Sequence, residues 1–306
     1  MLRVSSFAQN QLLQTNMAST QAEVSNRTVQ ISSGKITQDY TNIAQQTLGL
    51  VSLQRDSVRT EQFGENIQST KTRLEIMETN LSTITDRITN LLSDVLSGLN
   101  GSNIQEIPFE TFATSFRSEM TALINAQHEG RYLFSGSLTG TPPVDVTDAA
   151  YTPQVGLPGV FTADFDYYQG DNVKLANRID QDATLTYGIT GDDPAFEKVL
   201  RGLSYVEYAG INDDTAVLQE AYNLLQTSLD GVSALRSQIG AQVSVLEGAT
   251  ANHVSYKTYV DNTISGIEDI DIAEATSRLA FDQVQLQASY ISLTKINEVT
   301  LLNYVR

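Results

Sequence analysis

The sequence predicts a mainly α-helical protein, in which N- and C-terminal segments form a long antiparallel coiled-coil-like rod around a small β-rich insert. Three observations favour this fold class. Two stretches carry apolar residues every seven positions, the region between them is rich in Gly and Pro, and both chain ends are helical in pattern but poor in charge. A seven-residue apolar repeat places a narrow seam along one side of a helix, and such a seam requires a partner helix.

The first repeat lies in residues 63–99. Its seam positions are Ile67, Leu74, Leu81, Ile88 and Val95, with a second apolar row at Met77, Ile84 and Leu91. Most residues between these positions are polar or charged. At about 1.5 Å per residue, a straight helix over this repeat would be roughly 40 Å long. The pattern therefore indicates a rod rather than a short helix of a globule.

The second repeat lies more than a hundred residues later, which leaves enough chain to reverse direction. Its seam positions are Leu218, Leu225, Val232, Ile239 and Leu246, with Ala221, Leu235 and Ala249 in the second row. We therefore expect the two repeats to pair with each other in antiparallel orientation. The alternative is that both are ordinary amphipathic helices of a globular bundle.

The middle of the chain has a different composition. A helix with apolar residues every seven positions is predicted from Pro108 to Gly130, and it places His128 at its end. Five of the six prolines follow between positions 142 and 194, among many glycines. Short β-prone runs separated by Gly and Pro are typical of strands and tight turns. We expect a small β-rich insert over residues 137–192, with strands in 160–168, 173–175 and 183–189.

Both chain ends are predicted to be helices. The N-terminal helix carries Met17, Val24 and Ile31 seven residues apart and stops at Ser32-Ser33-Gly34, because Gly often follows the last helical residue. Helical periodicity resumes near Asn42. The C-terminal helix, from about residue 270, repeats Ile272, Leu279, Leu286 and Leu293.

The apolar face of the C-terminal helix is too wide for one partner helix. Burial against one partner does not offset the entropy of ordering the segment, and isolated helices are marginal in water. We therefore expect the two ends to fold on assembly with other copies. The alternative is that both ends pack on the rods as ordinary core helices.

These patterns predict five segments along the chain. They are an N-terminal assembly helix and linker (1–41), the N-terminal part of the rod (42–136), the β-rich outer insert (137–192), the C-terminal part of the rod (193–269) and a C-terminal assembly helix (270–306).

The composition argues against nucleic-acid binding and against most enzyme chemistry. The formal net charge is −17, from 36 acidic and 19 basic side chains, whereas phosphate binding needs clustered Lys and Arg. The chain contains no cysteine, which excludes disulfides, thiol nucleophiles and zinc–thiolate sites. We expect His128 and His253 to be structural, and the Asp pairs 192–193 and 213–214 to be turn and helix-start residues rather than calcium ligands. We therefore expect no enzyme activity, cofactor or metal.

Targeting signals are not evident in the sequence. No apolar run approaches the roughly 18 residues that span a bilayer. Polar residues interrupt every apolar run near the N-terminus, so we expect no secretory signal peptide, and the usual export route would leave the protein in the cytoplasm.

Motifs at both ends resemble one family. The N-terminal helix ends in residues 30–35 (QISSGK). The C-terminal run 267–274 (IEDIDIAE) is followed by residues 275–280 and by the ending 301–306 (LLNYVR). With these motifs the chain resembles the flagellin superfamily of bacterial flagella over its whole length.

Two middle motifs narrow the resemblance. Residues 130–136 (GRYLFSG) and 167–171 (YYQGD) are similar to the hook-associated protein 3 branch, whose members join hook and filament. Residues 36–43 (ITQDYTNI) depart from the basic, Asp-Asp-containing loop usual in the family. Flagellin itself, the filament subunit, therefore stays open as an alternative.

The resemblance implies a structural subunit that assembles through its terminal helices. It implies export through the flagellar type III apparatus without a cleaved signal and an extracellular location in the flagellum. The implied partners are copies of itself, hook-associated protein 1, flagellin and an export chaperone that shields the C-terminal segment, but neither nucleic acid nor membrane. A third reading is a secreted effector or surface enzyme with flagellin-like termini.

Overall fold

The computed structural model describes residues 2–37, 47–101, 104–153 and 163–302. The predicted helical restart near Asn42, the start of the predicted strand at 160–162 and the final residues 303–306 lie outside this range. The helices are α1 (Leu2–Ser33), α2 (Thr47–Asn100), α3 (Phe109–Ile124), α4 (Pro194–Asn212), α5 (Thr215–Glu268) and α6 (Ile272–Leu302). The mainly α-helical fold class is confirmed.

Strands are few and short in the described residues. Strand β1 (Gln127–His128) pairs antiparallel with β2 (Arg131–Tyr132), and β3 (Leu175–Arg178) pairs antiparallel with β4 (Thr184–Tyr187). The second hairpin places Leu175 opposite Tyr187 and Arg178 opposite Thr184. A short 3-10 turn, Ile104–Glu106, precedes α3.

The chain forms two compact units. The terminal unit comprises Met1–Arg59 and Tyr256–Arg306, and the central unit comprises Thr60–Ser255.

In the central unit, α2 and α5 run antiparallel, as the sequence predicts. Phe63 stacks on His253 with ring centroids 5.6 Å apart. Further along α2, Lys71 Nζ lies 2.8 Å from Glu247 Oε1, and then Arg236 Nη2 lies 2.7 Å from Glu78 Oε1. Partner numbers on α5 fall as those on α2 rise, which defines the antiparallel direction.

The core of the central unit is wider than a two-helix seam. Helix α3 joins α2 through Asn80, whose Nδ2 donates to Leu123 O at 3.0 Å, and it packs closely on α4. The structure places all ten seam positions in this core, each at most 1% exposed: Ile67, Leu74, Leu81, Ile88, Val95, Leu218, Leu225, Val232, Ile239 and Leu246. The apolar rows of α2 and α5 therefore belong to a core that also includes side chains of α3 and α4.

Aspartates begin α4 and α5, as expected from the sequence. Asp193 Oδ1 accepts from Ala195 N at 2.9 Å and caps α4, whose first residue is Pro194. Asp213 takes a left-handed conformation (φ 54°) after α4, and Asp214 Oδ1 accepts from Ala216 N at 3.0 Å. These carboxylates satisfy N–H groups that a helix start leaves without intrahelical partners.

The predicted end of the third helix at Gly130 is wrong. Helix α3 ends at Ile124, and His128 lies on β1 rather than on a helix. Glu129 and Gly130 both have positive φ, 51° and 73°, which suits a tight hairpin turn and is incompatible with a helix. The apolar spacing predicts a helix that is too long, because it carries no information about the positive φ angles of Glu129 and Gly130.

The insert contains less strand than its β-prone runs predict. Residues 163–167 form no strand, Tyr168 makes only an isolated bridge with Val144, and β3 begins at the last residue of the predicted run 173–175. The run at 183–189 does contain β4. Asp164 Oδ1 accepts from Asp166 N at 2.9 Å, and such local turns compete with a sheet for backbone groups.

The substitution Leu81→Asp tests the central core. Leu81 is fully buried, so an unpaired carboxylate there should lower the free energy of unfolding by about 3–5 kcal/mol. Urea denaturation followed by circular dichroism measures this loss. Asn90→Asp, on an exposed position of the same helix, is the control and should change stability little. An unchanged midpoint for Leu81→Asp would contradict the assigned core.

Candidate assembly surface

In the terminal unit, α1 pairs antiparallel with α6. Arg27 Nε donates a hydrogen bond to Asp282 Oδ2. Near the other end of the contact, Ile270 N donates to Gly34 O at 2.9 Å. Helix α1 ends at Ser33, as predicted, because Gly34 has φ 73° and its N–H bonds back to Gln30 O at 2.8 Å.

Glu268 ties three segments of the terminal unit together at the end of α5. Its Oε2 lies 2.6 Å from Lys35 Nζ, and its Oε1 accepts from Gln54 Nε2 on α2 at 2.6 Å. Its backbone oxygen accepts from Ile36 N at 2.7 Å. Glu268 thereby joins the end of α5 to the turn after α1 and to α2.

The predicted assembly residues lie on the paired helices and are incompletely covered. Six of them are half-buried: Met17, Val24, Ile31, Leu279, Leu286 and Leu293. The seventh, Ile272, is 56% exposed. One helix therefore covers only part of the apolar surface of its partner.

A stripe of large apolar side chains on α6 faces solvent. Phe281, Val284 and Ile291 are 69%, 63% and 57% exposed, and their spacing places them on one side of the helix. On α1, Leu12 is 63% exposed. Grouped exposed apolar side chains mark interaction sites in soluble proteins.

The first turns of α2, also in the terminal unit, repeat this arrangement. Leu48, Val51 and Val58 are 87%, 48% and 65% exposed, with the same spacing of three and seven residues. Tyr256 and Tyr259 on α5 are exposed as well. We define the assembly surface as the exposed apolar side chains of these four helices in the terminal unit.

Two motifs from the sequence meet in the central unit. Asp171 N donates to Ser135 O at 3.2 Å, and the carboxylate of Asp171 accepts from Ser137 N at 2.7 Å and from the Ser137 hydroxyl. These bonds to Ser137 lower the pKa of the Asp171 carboxyl. The Tyr168 hydroxyl donates to Asp171 O at 2.7 Å. Segments 130–136 and 167–171 thus form one interlocked cluster.

Buried aromatic side chains anchor this cluster. The Tyr167 hydroxyl donates to Gly191 O at 3.0 Å, and burial raises the pKa of that hydroxyl. Phe134 contacts Phe196 edge to face, with ring centroids 6.0 Å apart. Through Phe134 the cluster packs on α4, which contains Phe196.

The two histidines are in different surroundings. His253 Nε2 lies 2.7 Å from Ile179 O and its ring stacks on Phe63, whereas His128 lies within 4.0 Å of Glu129. In the described part of the chain, no group of three or more His, Cys, Asp or Glu side chains could hold a metal ion. No described helix is long and apolar enough to cross a membrane.

Sequence reasoning missed three charged residues of the terminal unit: Arg27, Glu268 and Asp282. For Arg27 and Asp282 the sequence did offer a signal, because each is a charged residue in a helix with very few charges. It also missed Asp171 as the residue that accepts bonds across the motif cluster. Its partner Ser137 lies 34 positions away, and sequence spacing does not reveal such a contact.

Comparison with known proteins connects the C-terminal region to flagellin. Residues 223–305 match the family model described as the bacterial flagellin C-terminal helical region. A comparison with curated proteins gives no match. The matched range contains most of α5 and all of α6, and the resemblance drawn from the C-terminal motif is confirmed.

Solved structures of flagellar proteins share the fold. A Vibrio parahaemolyticus protein described as flagellar hook-associated is 21% identical, with a TM-score of 0.61 over 74% of this chain and 100% of that one. Bacillus cereus FlgL is 18% identical, with a TM-score of 0.56 over 69% and 97% of the two chains. The flagellar junction protein FlgL of Legionella pneumophila is 14% identical, with a TM-score of 0.52 over 70% and 98%.

Gly136→Ala tests the motif cluster. Gly136 has φ 68°, and a Cβ there would lie 2.2 Å from Asp171 O, so the variant should lose about 2–4 kcal/mol of unfolding free energy. Thermal or urea unfolding measures the loss.

Gly140→Ala is the matched control, because a Cβ at that position meets nothing within 4 Å. If both alanine variants unfolded at the wild-type midpoint, the close packing of the two motifs would be refuted.

Proposed function

We propose that this chain is a structural subunit of the bacterial flagellum, a hook-associated junction protein that joins hook to filament by self-assembly through its terminal helices. The match of residues 223–305 to the flagellin C-terminal region supports membership of the flagellar axial proteins. The fold shared with hook-associated proteins supports the junction role.

The observation that carries the proposal is the incomplete burial of the terminal unit. Phe281 and Val284 on α6 and Leu48 on α2 are all more than 60% exposed. Each exposed apolar side chain that becomes buried between copies contributes about 1.5–3 kcal/mol. Copies packed on several sides can cover a surface that α1 and α6 do not cover for each other.

The five segments expected from the sequence acquire roles in this proposal. The terminal helices (1–41 and 270–306) build the contacts between subunits, with Met17, Val24, Ile31, Ile272, Leu279, Leu286 and Leu293 as assembly residues. The rod parts (42–136 and 193–269) provide the rigid body, and the ten seam residues hold them together. The insert (137–192) faces outward.

The proposed partners follow from this position in the flagellum. They are copies of this chain, hook-associated protein 1 on the hook side, flagellin on the filament side, and an export chaperone that shields the C-terminal helix before assembly. The subunit leaves the cell through the flagellar type III apparatus, without a cleaved signal peptide, and resides outside it. The proposal assigns it no enzyme activity, nucleic acid or membrane.

The second candidate is flagellin itself. The C-terminal match is common to both, because it is described as a flagellin region. The names of the similar structures favour the junction role, since they are hook-associated or junction proteins. An effector or enzyme with flagellin-like termini has no feature in its favour among the described residues.

Removing the terminal helices tests assembly. A chain without residues 1–40 and 270–306 should be a soluble, helical monomer, because the core of the central unit lies within Thr60–Ser255. The full-length chain should form oligomers at high concentration. Analytical ultracentrifugation of both measures the difference. Assembly of the shortened chain to the same extent would refute the role of the terminal helices.

A gene deletion separates the junction role from flagellin. Deletion should abolish filaments while hooks persist and unassembled flagellin is shed into the medium. Electron microscopy of the cells and immunoblots of the medium provide the readout. If the shed flagellin were absent and the deleted chain were the main filament protein of the wild type, the second candidate would be correct.

A further inference from the structure

An exposed row of side chains runs along the first turns of α2, in the terminal unit. Gln54 and Ser57 of these turns bond to Glu268 and Asp261, so that side of α2 faces α5. Side chains spaced by three and four residues lie on one side of a helix. The exposed row lies on another side of α2; we call it the α2 row, and it consists of Leu48, Val51, Arg55 and Val58.

A second row with the same spacing runs along α6. Asp282 bonds to Arg27 of α1, and Leu279 and Leu286 are half-buried, so these three residues mark the side of α6 that faces α1. The opposite side faces solvent. We call it the α6 row, and it consists of Glu274, Ser277, Phe281, Val284, Ala288 and Ile291.

Each row contains one charged residue, and the two charges are opposite in sign. The side chain of Arg55 is 74% exposed and lies 4.0 Å from Asp56, which pairs more closely with Arg59 at 2.8 Å. The side chain of Glu274 is 57% exposed and pairs with Arg278 on the same helix. Exposed ion pairs contribute little to stability, so both charged groups can take a new partner at small cost.

The two rows are complementary in one relative direction. If Arg55 lies opposite Glu274 in an antiparallel pair of helices, Leu48 falls opposite Phe281, since each lies seven residues from the charged residue of its row. Leu48 and Phe281 are the most exposed large apolar side chains of their rows. In a parallel pair, Phe281 would instead face the exposed polar side chain of Gln62. The antiparallel arrangement alone matches apolar with apolar and cation with anion.

We infer that the α2 row of one copy packs antiparallel on the α6 row of a second copy, with Arg55 of the first beside Glu274 of the second. Both rows face solvent in the single chain, so the contact requires another copy. The inference rests on the proposed function, which requires copies to associate through the terminal unit, and it names the two surfaces that meet. Complementary charges at an interface fix which surfaces pair and suppress wrong ones.

Charge reversal in the full-length chain tests this contact. Arg55→Glu and Glu274→Arg each bring like charges together, so each variant should need a roughly tenfold or higher concentration to assemble than the wild type. Sedimentation velocity over a concentration series measures this. Arg131→Glu makes the first charge change at an exposed arginine of the central unit and should assemble like the wild type.

An equimolar mixture of the two variants separates contacts between copies from effects inside one copy. In the mixture, the glutamate introduced at position 55 can meet the arginine introduced at position 274 of the other variant. The unchanged Arg55 and Glu274 can meet at the next contact. The mixture should therefore assemble near the wild-type concentration, although neither variant does so alone.

Single cysteines report which side chains meet, because the chain has no cysteine of its own. Assemblies of Leu48→Cys copies mixed with Phe281→Cys copies should form disulfide-linked dimers on oxidation, which a non-reducing gel detects. Leu48→Cys mixed with Ile291→Cys is the matched control. Ile291 lies in the same row but about 15 Å farther along α6, so this mixture should cross-link several-fold less.

The contact would be overturned if the wild type assembled and both charge variants assembled equally well. Failure of the mixture to recover assembly, or equal cross-linking in the control pair, would also overturn it. Each of these results leaves the proposed self-assembly standing. If the wild type failed to assemble at every concentration, the proposed function would be refuted, and this contact with it.

Discussion

The structure depends on how much apolar surface the chain can cover by itself. In the central unit, four helices and the insert enclose a core in which the large seam side chains are fully buried, including Leu81 and Leu225. In the terminal unit, α1 and α6 pair and leave Phe281 and Val284 in solvent. The hydrophobic effect stabilises the first unit within the chain, whereas the second keeps large apolar side chains in solvent that further copies could cover.

Polar contacts complement this uneven burial. Glu268 joins the turn after α1 to α2, and Asp171 joins the two motifs that hold the insert. Each carboxylate accepts more than one hydrogen bond, so its position is fixed in direction as well as distance.

Much of the fold follows from the sequence because its periods are long and regular. The seven-residue rows from Ile67 and from Leu218 predict α2 and α5 and their antiparallel pairing, and Gly34 predicts the end of α1. The prediction fails where local backbone geometry decides, as at the left-handed Glu129 in the turn of the β1–β2 hairpin that follows α3. Long-range polar contacts such as that between Arg27 and Asp282 join residues 255 positions apart, and no spacing rule reveals them.

The central claim is that the terminal helices gain most of their stability from other copies. Amide hydrogen exchange on the dilute full-length chain, read segment by segment, tests it most directly. The account predicts exchange in α1 and α6 that is orders of magnitude faster than in the buried part of α2, and protection of both terminal helices once the chain assembles. Protection of α1 and α6 in the dilute monomer equal to that around Leu81 would contradict it.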